Sequence, residues 1–123
     1  MPRGKPSDHL RLEHRIDDGV AIVDADGEID AFTCELLRAR LLALVDDGHS
    51  GLVVNLESVS FIDSTGLGVL VGVWHRLLPR DGVLALAAPT FKVRSVFDTA
   101  GLTKPFRIYE STAEAAQACR PAV

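Results

Sequence analysis

Ser64 and Thr65 stand side by side behind Asp63 in the run Phe61-Ile62-Asp63-Ser64-Thr65-Gly66, and Gly68 and Gly72 follow closely. Adjacent hydroxyls between a carboxylate and a glycine-rich stretch admit three chemistries. A hydroxyl can act as a catalytic nucleophile, the glycines can cradle a phosphate, or a hydroxyl can accept a phosphoryl group. Nucleophilic catalysis needs a base within hydrogen-bond reach. The four histidines, His9, His14, His49 and His75, fall in separate segments, and the sequence nominates none of them. A nucleophile elbow reads GxSxG, and its first glycine is absent here. Asp63-Ser64-Thr65-Gly66 is also longer than the Asp-Thr-Gly of aspartic proteases. The glycines are spaced GxGxxxG rather than the GxGxxG of a dinucleotide fold, with no acidic residue well placed for a ribose. No GxxxxGK[ST] occurs. Neither a hydrolase nor a nucleotide-binding enzyme is expected.

Metal chemistry is no better supported. The two cysteines, Cys34 and Cys119, form no CxxC and have no Cys or His close in sequence, which speaks against a zinc site or a disulfide framework and for a reducing compartment. No metal and no cofactor is expected. The 123 residues carry a net charge of -4, which argues against a nucleic-acid partner, whose footprint is a basic patch. With 47% hydrophobic and 24% charged residues the chain is too apolar for disorder and suits one domain. No apolar run approaches the roughly 18 residues of a membrane span, and the N-terminus lacks a signal-peptide stretch. A cytoplasmic protein without a membrane partner is expected.

The elements that must position Ser64 follow from patterning. Residues 1–8 read as a frayed polar tail, leaving 9–120 as a single domain. Leu10, Leu12, His14 and Ile16 alternate with Arg11, Glu13 and Arg15, the period of a half-buried strand. Asp17-Asp18-Gly19 is turn chemistry, and Val20 to Val23 a second strand, so the two make a hairpin that Gly27-Glu28-Ile29-Asp30 ends. A helix capped by Asp30 or Thr33 follows, carries Leu36, Leu37, Leu41, Leu44 and Val45 on one face, and stops at Gly48. Residues 51–56 are a nearly all-apolar strand, as expected when both faces are covered. A second helix runs from about Ser64 to Leu78 and is broken by Pro79-Arg80-Asp81-Gly82. Val83 to Ala87 is a buried strand. Pro89 or Thr90 opens a third helix closed by Gly101, Arg107-Ile108-Tyr109 is a last strand, and Ser111-Thr112-Ala113-Glu114 is a capping box. The order β-β-α-β-α-β-α-β-α predicts an α/β fold, a mixed, mostly parallel five-stranded sheet with about four helices.

On the second helix, Leu67, Leu70, Val71, Trp74, Leu77 and Leu78 share one face, the expected core stripe. Ser64, Thr65, Gly68, Val69, Gly72, Val73, His75 and Arg76 share the other. Interior glycines each cost about 1 kcal/mol against alanine, and valines are unusual on a solvated face. Either the glycines admit a neighbouring helix, or the face is a flat patch that docks a partner. Ser64 is itself a good N-cap. If Asp63 caps instead, Ser64 is free on the first turn, where the helix dipole tolerates a phosphate best.

Phe61 to Gly72 resembles the signature of bacterial anti-sigma-factor antagonists, which are STAS-domain proteins. Gly27-Glu28-Ile29-Asp30 is similar to the family's turn before its first helix, Phe97-Asp98-Thr99-Ala100-Gly101-Leu102 to the end of its third, and Phe106-Arg107-Ile108-Tyr109 with Ser111 and Glu114-Ala115 to its last strand and helix. The resemblance implies a non-enzymatic STAS module whose partner is an anti-sigma factor with a GHKL-type serine kinase fold. Binding would release a sigma factor, phosphorylation of Ser64 would end it, and a PP2C-type phosphatase would restore it. With Asp63 preceding the acceptor as a partner-binding residue, Thr65, Gly66 and Gly68 would then lie beside the kinase's nucleotide pocket, with Asp30 on the adjacent loop and Val69 and Gly72 on the docking patch. Thr65 is a rival acceptor. A monomer or weak dimer is expected. A constitutive scaffold and a weak nucleotide-binding protein are the alternatives.

Overall fold

The structure, a computed structural model, describes residues 9–103 and 106–120. Five strands form one sheet in the spatial order β1-β2-β3-β4-β5: β1 (Leu10–Asp17), β2 (Val20–Ile29), β3 (Gly51–Ile62), β4 (Val83–Ala87) and β5 (Arg107–Tyr109). Between them run α1 (Cys34–Asp46), α2 (Ser64–Leu77), α3 (Phe91–Thr99) and α4 (Thr112–Cys119), with one 3₁₀ turn over Leu78–Arg80. The β1–β2 pair is antiparallel and the other pairs are parallel, so the mixed, mostly parallel sheet and its element order are as the sequence predicts. Asp18 (φ 49°) and Gly19 (φ 81°) make the two-residue hairpin turn whose left-handed backbone matches strand twist.

The sheet is covered on both faces, which is why β3 begins as a continuous apolar run. Leu52, Val54 and Leu56 face the large core beneath α1, α2 and α3, while Val53 faces Ala115, Ala116 and Cys119 of α4. The helix punctuation holds as well. Gly48 (φ 99°) and Gly101 (φ 72°) take left-handed backbone after α1 and α3. The Thr90 and Ser111 hydroxyls accept from the N–H groups of Val93 and Glu114 at 3.2 and 3.1 Å.

Two strand expectations need correction. β2 and β3 do not stop near Val23 and Leu56 but run on to Ile29 and Ile62. In this extension the register slips twice, Asp24↔Asn55 giving way to Asp26↔Ser58, and Gly27↔Val59 to Glu28↔Phe61. Each slip adds one residue to β3, so its inward side chains there, Leu56, Val59 and Ile62, are spaced by three. Bulges of this kind erase the two-residue period by which a strand is read. In β1, only Leu10 is buried and Leu12 partly so; His14 and Ile16 are exposed. β1 is an edge strand, and Arg40 of α1 caps its flank by reaching the Leu12 carbonyl and the His14 ring.

Candidate functional site

The extension of β3 carries Asp63 and Ser64 out to the far end of the sheet. There the Asp63 N–H donates to the Ile29 carbonyl at 3.2 Å, tying the end of β3 to the end of β2. Asp63 is extended (φ -119°, ψ -173°) and is the N-cap of α2. Its Oδ1 accepts from the N–H of Thr65 at 3.0 Å and of Gly66 at 3.3 Å, and from the Thr65 hydroxyl. Two of the amides left without partners at the helix start are thus satisfied by one carboxylate. The choice between Asp63 and Ser64 as cap is settled for Asp63.

This leaves Ser64 exposed at the first position of α2, and none of the hydrogen bonds among the described residues uses its hydroxyl. Thr65, although exposed too, has its hydroxyl committed to Asp63. Beside Ser64 and Leu67 lies a largely apolar groove of about 350 Å³, walled by Ser95, Val96, Thr99 and Ala100 of α3 and its C-cap. Burial is the largest single influence and pushes the Asp63 carboxyl up, but the Thr65 hydroxyl and the Gly66 and Thr65 amides together outweigh it and hold the group below the usual aspartate value. A carboxyl lowered in the folded state stabilises above its unfolded pKa and loses that contribution as pH falls through the folded one. Thermal melts of Asp63→Asn are therefore expected to lose less stability than wild type as pH is lowered from about 4, the ordinary aspartate value. At pH 7, Asp63→Ala is expected to cost about 1 kcal/mol.

Asp30 follows Ile29, which pairs with Ile62, so it emerges next to Asp63. Its Oδ1 accepts from the N–H of Phe32 at 2.9 Å and of Thr33 at 3.0 Å, while the Thr33 hydroxyl donates to the Glu28 carbonyl at 2.7 Å. Thr33 occupies the N-cap position of α1 but makes no side-chain cap bond; Asp30 instead fixes the turn that leads in.

The remaining site residues sort differently from the helical wheel. Gly66 is buried, and a Cβ on it would stand 2.6 Å from Ile29 Cγ2 and 2.9 Å from Ile62 Cγ1. It is a packing residue, not an exposed contact. Gly66→Val is expected to cost about 1–3 kcal/mol by overpacking, read from urea denaturation; an unchanged midpoint would contradict this placement. Val69 and Val73 are also buried, because α1 packs along that flank of α2. The wheel errs since it assumes one buried face, whereas α2 is covered by the sheet below and by α1 at its side. Conversely Leu78, placed in the core stripe, is 47% exposed, and Leu36, placed on the apolar face of α1, is 37% exposed because it lies about 100° round the helix from Leu37 and turns off the buried stripe. Gly68 and Gly72 are exposed, and a Cβ on either would meet nothing within 4 Å. They admit no neighbouring helix, so that explanation fails and the open face remains. Sequence reading placed Arg76 on this face but missed Arg38 and Leu42, which line a groove with it and these glycines. Arg38 and Leu42 share a helix face by spacing, but only packing reveals that the face turns to α2.

Among the described residues no helix is long and apolar enough to cross a membrane, and no three His, Cys, Asp or Glu side chains gather as metal ligands. The STAS domain model matches residues 11–115. A Staphylococcus aureus protein named anti-sigma-B factor antagonist is 33% identical over 104 residues, covering 85% of this chain and 96% of that protein. The crystal structure of an anti-sigma factor antagonist from Mycobacterium paratuberculosis superposes with a TM-score of 0.84 at 31% identity, over 93% of this chain and 97% of that one. The anti-sigma factor antagonist SpoIIAA has been solved in two forms. The unphosphorylated form gives a TM-score of 0.77 at 29% identity, over 93% and 98% of the two chains. The phosphorylated form, described as a Bacillus cell fate determinant, gives 0.68 at 27%, over 89% and 97%. With most of its length matched by the domain model, and by relatives matched over nearly all of theirs, this chain belongs to the STAS-domain family.

Proposed function

We propose that this chain is an anti-sigma factor antagonist: unphosphorylated, it binds an anti-sigma factor and frees the sigma factor, and phosphorylation at Ser64 ends the binding. The observation that carries this is the free Ser64 hydroxyl on the first turn of α2, left available because Asp63 does the capping. The names of the S. aureus and M. paratuberculosis relatives, and the existence of a phosphorylated form of SpoIIAA, support it. The partner is an anti-sigma factor with a GHKL-type serine kinase fold. In the transfer, Ser64 Oγ attacks the γ-phosphorus of ATP, the bond to the β–γ bridging oxygen breaks, ADP leaves, and the hydroxyl proton passes to a base of the kinase. Phosphate is tolerated by the fold because helix-start amides and the dipole favour an anion there. It adds about -1.5 to -2 charges to the docking surface. A PP2C-type phosphatase reverses the change. The chain itself performs no catalysis, works in the cytoplasm as a monomer or weak dimer, and needs no cofactor. Asp30, Asp63, Thr65, Gly68 and Gly72 belong to the docking face, with Asp30 and Asp63 shaping its backbone.

The test is incubation of the purified chain with ATP and each anti-sigma factor kinase of its genome, followed by peptide mass spectrometry. One phosphate on Ser64, absent from Ser64→Ala and removed by a PP2C-type phosphatase, is expected. Phosphate confined to Thr65, or none with any kinase, would overturn the assignment.

A further inference from the structure

Gly68 and Gly72 pose a physical question. Both are exposed within α2, neither has a left-handed backbone, and nothing stands within 4 Å of where their Cβ atoms would be. Alanine at either would favour the helix by about 1 kcal/mol. The fold itself gains nothing from these glycines. Their effect is a groove of about 240 Å³ between α2 and α1. Gly68, Gly72 and Arg76 form one wall at helical spacing, and Arg38 and Leu42 form the other. The floor is the buried pair Val69 and Val73.

The charges are one-sided. In a chain of net charge -4, the only charged side chains lining this groove among the described residues are two arginines. Their present partners are exposed: Arg38 lies 3.5 Å from Glu35, and Arg76 3.1 Å from Asp46. Such surface pairs contribute little and exchange readily, and a guanidinium holds a carboxylate by a two-pronged hydrogen bond. We infer that the groove seats an acidic amphipathic helix of the partner, which inserts an apolar side chain over Val69 and Val73 between carboxylates that meet Arg38 and Arg76. This is the helix-in-groove mode, with apolar area giving affinity and the rim charges giving register. It deepens the function proposed above and rests on it: the groove begins one turn beyond Ser64, so anchoring and phosphate control share one helix.

The experiment titrates the purified anti-sigma factors of the same genome with wild type, Gly72→Leu, Gly72→Ala and the double variant Arg38→Glu/Arg76→Glu, by calorimetry at low and high salt. Gly72→Leu fills the groove without meeting another atom at its Cβ, so its melting temperature is expected to equal or exceed that of wild type while affinity falls about tenfold or more. Gly72→Ala controls for helix propensity; it is expected to raise the melting temperature. The arginine reversal is expected to weaken binding similarly and to flatten its salt dependence. If Gly72→Leu and the reversal both bind within about twofold of wild type, below what even one modest interface contact costs, the inference is wrong while the function stands. If Gly72→Leu dissolves a dimer of this chain and leaves the anti-sigma factor bound, the groove belongs to a second copy and the inference is equally overturned. If wild type binds none of these factors, the proposed function fails first and takes the inference with it.

Discussion

Ser64→Asp is expected to weaken binding to the anti-sigma factor about a hundredfold or more, while Ser64→Ala binds as wild type does and can no longer be switched off. The reason is local. The side chain at this position faces Leu67, Val96 and Ala100 across a mainly apolar groove, one residue from the Asp63 carboxylate. A partner docked here buries whatever the position carries. An added carboxylate must then be stripped of water beside another of the same sign, a penalty of several kcal/mol where no counter-charge is offered. About 3 kcal/mol already exceeds a hundredfold in affinity. The fold is spared, because an aspartate at the first helical position favours the helix dipole and Asp63 keeps the cap. Calorimetric titration beside a thermal melt separates the two effects. Binding of Ser64→Asp within a few-fold of wild type, with an intact melt, would sink electrostatic gating at this position.

Phe97→Ala is expected to remove about 3–5 kcal/mol of stability. Phe97 is fully buried and meets Phe106 edge-to-face at a centroid distance of 6.1 Å, and Phe106 in turn meets Trp74 of α2 at 6.2 Å. Val93 and Phe97 are the buried residues of α3, so this ring is most of what fastens that helix to the core. A domain of this size holds about 5–15 kcal/mol in all, so the melting temperature is expected to fall by about ten degrees or more. Phe97→Leu, which keeps more volume, is expected to lose less. Since α3 supplies the wall opposite Ser64, binding by Phe97→Ala should fall in proportion to its unfolded fraction rather than through a lost contact. Urea denaturation measures the first quantity; a loss below about 1 kcal/mol, the range of ordinary surface changes, would contradict this account.

Much of this was legible without coordinates. The two-residue hairpin turn, the all-apolar opening of β3, the glycine stops after α1 and α3 and the serine cap of α4 are each set by neighbours in sequence. Local chemistry of that kind survives folding unchanged. The Asp63-Ser64-Thr65-Gly66 run was equally legible as a helix start, with two candidate caps. The bulged ends of β2 and β3 were not, because two extra residues in β3 make inward side chains recur by threes. The overhang of β1 was not, because its alternation records which side chains could be buried, not whether a helix reaches them.

The sequence by itself determined the element order, the punctuation of most helices and the presence of adjacent hydroxyls where a strand meets a helix. These depend on backbone preference and side-chain reach over a few residues. Only the tertiary structure decided that Gly66 is packed while Gly68 and Gly72 lie open, that Val69 and Val73 face α1, and that Arg38 and Arg76 share a groove. A helical wheel knows the angle between two side chains but not what stands opposite them, and it is the neighbouring helix that decides which small residue is a packing contact and which is an opening.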